Sequence, residues 1–294
     1  MLTDAHIHFI PEEISSCTSF FKGAWSNKQK LYDFIDNQNI EKALLVYPST
    51  DAHLKLGIKE EISIYNKSIE EVLKENSKII GACLVDVEDL SDVYLQLAEL
   101  KEKGFKAISI ASSYKGKFIV EELKPLFEAA EKQNMAIFIH PQTINPIGFE
   151  RLKDPLLMPV LEYSFDISAC LGLLMTSGVL EEFNVKFIFS SLAGVIPYLK
   201  ERFDRIYNML RLRGIVKDLK SNPSDILKKV YVDTSGASLA NIKLALNLFG
   251  EEHLLWGSDY PVNPDIEGNL QELEELGPET KQKITQDNLL TLFN

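Results

Sequence analysis

The chain has 294 residues, 45% hydrophobic and 25% charged, with a formal net charge of −12. That acidity works against binding nucleic-acid phosphates or an anionic lipid surface, and no run of eighteen uninterrupted apolar residues is present, so neither nucleic acid nor membrane is an expected partner. Cys17, Cys83 and Cys170 lie far apart, which excludes a CxxC thiolate site and argues against a disulfide framework; with no basic stretch leading into an apolar one at the N-terminus, the expected location is cytoplasmic.

Along the chain, short β-branched runs alternate with longer amphipathic stretches, the order of βα units around a parallel sheet. Strands are expected at 2–8, 42–47, 79–85, 107–111, 136–140, 186–189, 230–234 and 254–258. Helical periodicity marks 58–75, 91–103, 120–133, 159–177 and 198–213. Val120, Leu123, Phe127 and Ala130 recur at the spacing that builds one apolar stripe, which packs against a sheet. Eight strands without a low-complexity linker predict a single-domain α/β fold, the (β/α)8 TIM barrel. Segments 15–30 and 142–159 then become extended loops at its C-terminal mouth, candidate lids over a site.

The chemistry concentrates at strand ends. His6 and His8 are two apart in one strand, so both imidazoles point to the same face and can share an ion. His140 ends the fifth strand and Asp259 follows the eighth, both where barrel enzymes hold reactive groups. These four donors make a mononuclear site for a divalent metal. Zn²⁺ suits three imidazoles and a carboxylate, and Mn²⁺, Fe²⁺ or Co²⁺ also fit. Asp4 and Asp233 are candidates to orient a ligand from behind. Arg151, Arg202 and Arg205 are candidates to pair with a substrate carboxylate. His53 and His253 are assigned no function.

DAHIH at the first strand, IHP at the fifth, VDTSG near the seventh and GSDYP at the eighth resemble the amidohydrolase superfamily, in particular its amidohydrolase-2 branch of decarboxylases and lactone hydrolases. The resemblance covers essentially the whole chain. It implies that His6, His8 and His140 bind the metal, commonly zinc, and that Asp259 is both ligand and proton carrier. One position departs: where the family has a histidine after the sixth strand, this chain has Ser191. The expected activity is therefore metal-dependent hydrolysis of a lactone, ester or amide of a small organic acid, since an activated water plus Asp259 suffices in outline. Nonoxidative decarboxylation of an aromatic or muconate-like acid is the alternative, and a catalytically silent metal- or metabolite-binding protein is a third reading. A homodimer is compatible with all three.

Overall fold

Runs such as AISIA and AIFIH are apolar on both faces, which suits strands covered inside and out. In the computed structural model, which describes residues 1–294 apart from the side chain of Phe149, eight such strands form: β1 (Leu2–His8), β2 (Ile40–Val46), β3 (Ile79–Cys83), β4 (Ala107–Ala111), β5 (Ala136–His140), β6 (Phe187–Phe189), β7 (Tyr231–Asp233) and β8 (Leu254–Leu255). They pair in sequence order, every pair parallel. The sheet closes where the chain beyond β8 runs back along β1: Ala5 N donates to Trp256 O at 2.7 Å, Asp259 N to His6 O at 2.9 Å and His8 N to Tyr260 O at 2.8 Å. The fold is a single-domain (β/α)8 barrel, as expected.

A helix follows each strand: α1 (Lys28–Asn37), α2 (Ile58–Glu75), α3 (Val93–Glu102), α4 (Lys124–Gln133), α5 (Tyr163–Thr176), α6 (Lys200–Arg211), α7 (Leu239–Phe249) and α8 (Asn288–Phe293). On α2 the buried residues Ile62, Tyr65, Ile69 and Val72 recur three or four apart, the stripe that faces the barrel. Inside the barrel, Leu44, Val46, Ala82, Ala136, Phe138 and Ile188 form a second core, and Leu289 and Leu292 of α8 plug its lower end. Each large side chain buried in this way contributes about 1.5–3 kcal/mol.

Several boundaries differ from the sequence reading, for local reasons. The eighth strand stops at Leu255 rather than 258 because the next backbone donors leave the ladder: Trp256 N bonds to Ile284 O at 3.0 Å, Gly257 N to Thr234 Oγ1 at 3.4 Å and Ser258 N to Asp4 Oδ1 at 3.0 Å. Helix α4 starts at Lys124, so Val120 and Leu123 of the predicted stripe are buried from the turn before it. The 198–213 helix begins at Lys200, after a 3-10 turn over Ile196–Leu199 with Pro197 in its first turn. Segment 15–30 is not wholly loop: it holds a 3-10 turn at Gly23–Ser26 and the start of α1, capped by the Asn27 side chain. The continuous helix Met158–Thr176 is long and apolar enough, by length and composition, to cross a membrane. Here it carries Glu162 and Asp166, both 1% exposed, and buries Ile167, Cys170 and Leu171 within the fold.

After β6 the chain makes an unusual turn. Ser191, Leu192, Ala193 and Gly194 all have positive φ, from 50° to 66°, a left-handed run that L-residues resist. It is held against α5: Ser168 Oγ donates to Ala193 O at 3.1 Å and accepts from Val195 N at 2.9 Å. Only glycine fits at 194, because a Cβ there falls 2.2 Å from Ser164 O. Gly194→Ala is expected to cost at least about 2 kcal/mol and lower the melting temperature by about 4 °C or more; thermal unfolding unchanged from the parent protein would refute this packing.

Candidate metal centre

His6 and His8 reach the barrel axis from β1, and His140 from the end of β5. Each has its Nδ1 occupied by an acceptor: His6 by Asp233 Oδ2 at 2.8 Å, His8 by Val46 O at 2.9 Å and His140 by Pro141 O at 2.9 Å. An acceptor at Nδ1 places the proton there and leaves the Nε2 lone pair free for a ligand. One donor nitrogen from each of the three rings lies within 4.8 Å of the others, and His6 Nε2 and His8 Nε2 are 3.0 Å apart. Asp259 joins them, its Oδ1 at 3.1 Å from His8 Nε2 and 3.5 Å from His6 Nε2. The imidazoles are 1–8% exposed and Asp259 28%; all four line the cavity, and the carboxylate is the most open to it.

Charge within the cluster follows from burial and neighbours. Burial pulls the His6 pKa down, but the carboxylates of Asp233 and Asp259 outweigh it and raise it to about 9. Burial dominates at His8 and His140 and keeps both below the ordinary histidine value, His140 well below. Burial pushes the Asp259 and Asp233 pKa values up, yet the adjacent histidines hold both below the carboxylate norm. Nitrogens this close share one positive charge, either a proton or a cation. Three inward lone pairs plus one carboxylate are the donor set of a divalent cation, with room left toward the cavity, and the residues present fit such an ion.

Behind His6, Asp233 is fully buried and also accepts from Ser191 N at 2.9 Å, Ser235 N at 2.9 Å and Ser235 Oγ at 2.6 Å. Ser191 Oγ lies 3.1 Å from Ser235 Oγ. Ser191, in the family's histidine position, thus supports the centre through its backbone and presents a neutral hydroxyl. Asp4 does not touch an imidazole: its Oδ1 accepts from the backbone N of His6 and of Ser258, both at 3.0 Å, tying β1 to the end of β8. Burial raises its pKa to about 7. Two participants are not singled out by the sequence reading although they lie within its quoted motifs: Ser235 in VDTSG, and Gly257 in GSDYP, where a Cβ would come within 2.9 Å of His6 Cβ and 3.3 Å of Asp233 Cβ.

Above the centre opens a cavity of about 1260 Å³. Phe20, Phe21 and Trp25 from segment 15–30 wall one side, with Trp25 stacked on His8 at 5.3 Å between ring centroids. Ile144, Pro155 and Met158 from segment 142–159 wall another. The three arginines proposed for a substrate carboxylate are not there: Arg151, Arg202 and Arg205 are exposed and none lines the cavity. Helix α6 turns its charged face to solvent, and Arg151 sits on a short outer helix at Phe149–Leu152.

A parallel eight-stranded barrel with a histidine–carboxylate cluster at the carboxyl ends of its strands defines a metal-dependent barrel enzyme. The chain belongs to the amidohydrolase family, whose model, described as Amidohydrolase, matches residues 3–294. It is 27% identical over 233 residues to 2-amino-3-carboxymuconate-6-semialdehyde decarboxylase of Dictyostelium discoideum, an alignment covering 76% of this chain and 64% of that protein. The chain therefore spans under two thirds of that relative's length. Among solved structures it resembles 5-carboxyvanillate decarboxylase from Sphingomonas paucimobilis, with a TM-score of 0.84 at 16% identity over 99% of this chain and 98% of the other. The Novosphingobium aromaticivorans 5-carboxyvanillate decarboxylase complexed with manganese gives 0.83 at 20% identity over 99% and 95%. The Rhizobium 2,6-dihydroxybenzoate decarboxylase gives 0.80 at 17% over 100% and 99%. At these identities the solved structures establish the barrel.

The relatives correct the expectation of lactone, ester or amide hydrolysis, because those with a named activity are decarboxylases. That expectation weighed the missing histidine at 191 against protonation at carbon, and the named activities of the relatives overturn it.

Two measurements test the centre. Asp233→Asn, which weakens the hold on His6, and Gly257→Ala, which wedges between the two, should each lower metal affinity by about 10- to 100-fold with the barrel intact; unchanged affinity by metal titration would remove both from the site. Because a metal at His6 displaces a proton held up to about pH 9, affinity should fall by about tenfold for each pH unit below that value. A flat titration between pH 6 and 9, on the order of that window, would show His6 to be neutral without metal.

Proposed function

We propose that the chain is a metal-dependent nonoxidative decarboxylase of a small carboxylic acid, with His6, His8, His140 and Asp259 holding the ion. The observation that carries this reading is Asp259, the member of the cluster most open to the cavity, bonded to His8 and adjacent to His6. Decarboxylation breaks a C–C bond, releases carbon dioxide and leaves an electron pair on carbon that one proton must quench. A divalent cation in this site supplies Lewis acidity, neutralising the acid's charge and polarising an adjacent oxygen. Zinc is the first assignment on the imidazole-rich donor set; manganese, the ion in the Novosphingobium complex, is the runner-up.

The remaining work belongs to the chain's own residues. Asp259 rests ionised beside the histidines and relays a proton at its carboxylate, taken from water at the cavity mouth and passed to carbon, from a position that is 28% exposed. Asp233 fixes the His6 ring through Nδ1 and keeps its Nε2 aimed inward. Trp25 and the walls from both long loops exclude water from the reacting carbon, which favours release of carbon dioxide over side reactions. Ser191 and Ser235 contribute neutral hydrogen bonds of about 0.5–1.5 kcal/mol each.

The test is release of carbon dioxide by the metal-loaded protein from a panel of aromatic and unsaturated acids. Asp259→Asn should cut turnover by about 10² or more while most of the metal stays bound, since one ligand oxygen persists. Turnover near normal in that variant would take Asp259 out of proton transfer, and ring opening without gas release would return the chain to hydrolysis.

A further inference from the structure

The cavity's charge distribution bears on which acids it can hold. Among the described residues lining it there is no lysine and no arginine. Its charged side chains besides the histidines are two carboxylates, Asp259 at the floor and Asp51 at the wall. Asp51 is already engaged by segment 15–30, accepting from Ser19 Oγ at 2.8 Å and from Ser19 N at 3.2 Å. The rest of the wall is apolar, through Phe21, Trp25, Ile144, Met158, Leu192 and Val195, or neutral and polar, through Ser190, Ser235 and Asn241. Ser190 is fully buried, and its Oγ has no hydrogen-bond partner, which leaves it open to a neutral polar substituent of a ligand.

We propose that this cavity selects acids carrying a single carboxylate and discriminates against a second one, a specificity that rests on the decarboxylase reading of the centre. The first carboxylate meets the cation that the cluster of His6, His8 and His140 is built to hold. A second is stripped of water against aromatic and aliphatic walls with no cation to receive it, and two carboxylates repel it. Burial of an unpaired ion is costly, and partial screening at the mouth still leaves a preference of about tenfold or more. The ligand class is a flat monocarboxylic acid whose remaining substituents are apolar, hydroxyl or carbonyl.

Binding of meta-hydroxybenzoate and isophthalate to the metal-loaded protein, measured by titration calorimetry, tests this directly. The two acids share a ring and differ by a hydroxyl against a second carboxylate. The expected result is meta-hydroxybenzoate bound at least about tenfold more tightly, with Asn241→Arg, which adds a cation to the wall, narrowing or reversing the ratio. Isophthalate bound equally or more tightly by the parent protein overturns the proposal, as does failure of meta-hydroxybenzoate to bind or an equal gain for both acids in Asn241→Arg. Turnover is not part of this readout. Absence of carbon dioxide release would sink the decarboxylase reading and leave the preference standing, whereas equal affinities would do the reverse.

Discussion

The bond between Asp233 and His6, 2.8 Å long and sealed from solvent, is the contact on which the rest of the centre depends. The same carboxylate takes four donors from three places: the His6 ring on β1, the backbone of Ser191 after β6, and the backbone and hydroxyl of Ser235 after β7. Bonds to a charged group contribute about 1.5–3 kcal/mol each. Removing one partner of such a buried set costs about 3–5 kcal/mol, because the remaining charge is stranded. A single side chain thereby orients one imidazole and stitches three strand ends together. The bare Cα of Gly257 makes room for the contact.

The barrel supplies rigidity below this network and latitude above it. Phe138 packs edge-on against His6 at 5.0 Å between centroids, so the imidazoles stand on a closed apolar floor. At two strand ends the backbone enters the left-handed region, at Ser191 to Gly194 and at Asp259, whose φ is 62°. Non-glycine residues adopt it at a cost. The surrounding bonds impose it: Asp233 on Ser191 N, Ser168 on the carbonyl of Ala193, and the His6 carbonyl on Asp259 N. These turns aim the chain into the mouth, where the long loops after β1 and β5 add the walls.

Electrostatics give the mouth its character. A protein with a net charge of −12 repels anions at long range, and its cavity has no lysine or arginine among its described lining residues. A cation held by the cluster would be the local attractor for the acid proposed above. In that proposal affinity concentrates on one carboxylate, and the apolar walls make the acid's body contribute through burial rather than through ion pairs. At the position of the family histidine stands Ser191, whose hydroxyl pairs with that of Ser235 at 3.1 Å and does not titrate near neutral pH.

The features legible in the sequence were those whose physics is local. A spacing of two in a strand puts His6 and His8 on one face whatever surrounds them, and short apolar runs alternating with amphipathic ones specify eight βα units before any contact is known. The strand-end placing of His140 and Asp259, and the barrel itself, follow from the same periodicities. Only the tertiary structure could bring Asp233 to His6 across 227 residues, leave room for that pair at Gly257, or hold Asp4 on backbone rather than on a ring. It also put Arg151, Arg202 and Arg205 on the outside, where an arginine on an amphipathic helix or a loop is equally at home. Nor does local pattern separate hydrolysis from decarboxylation, because both begin from the same donor set. Which group faces the cavity and which charges line it are likewise properties of side chains converging from distant strands, set by packing and not by spacing along the chain.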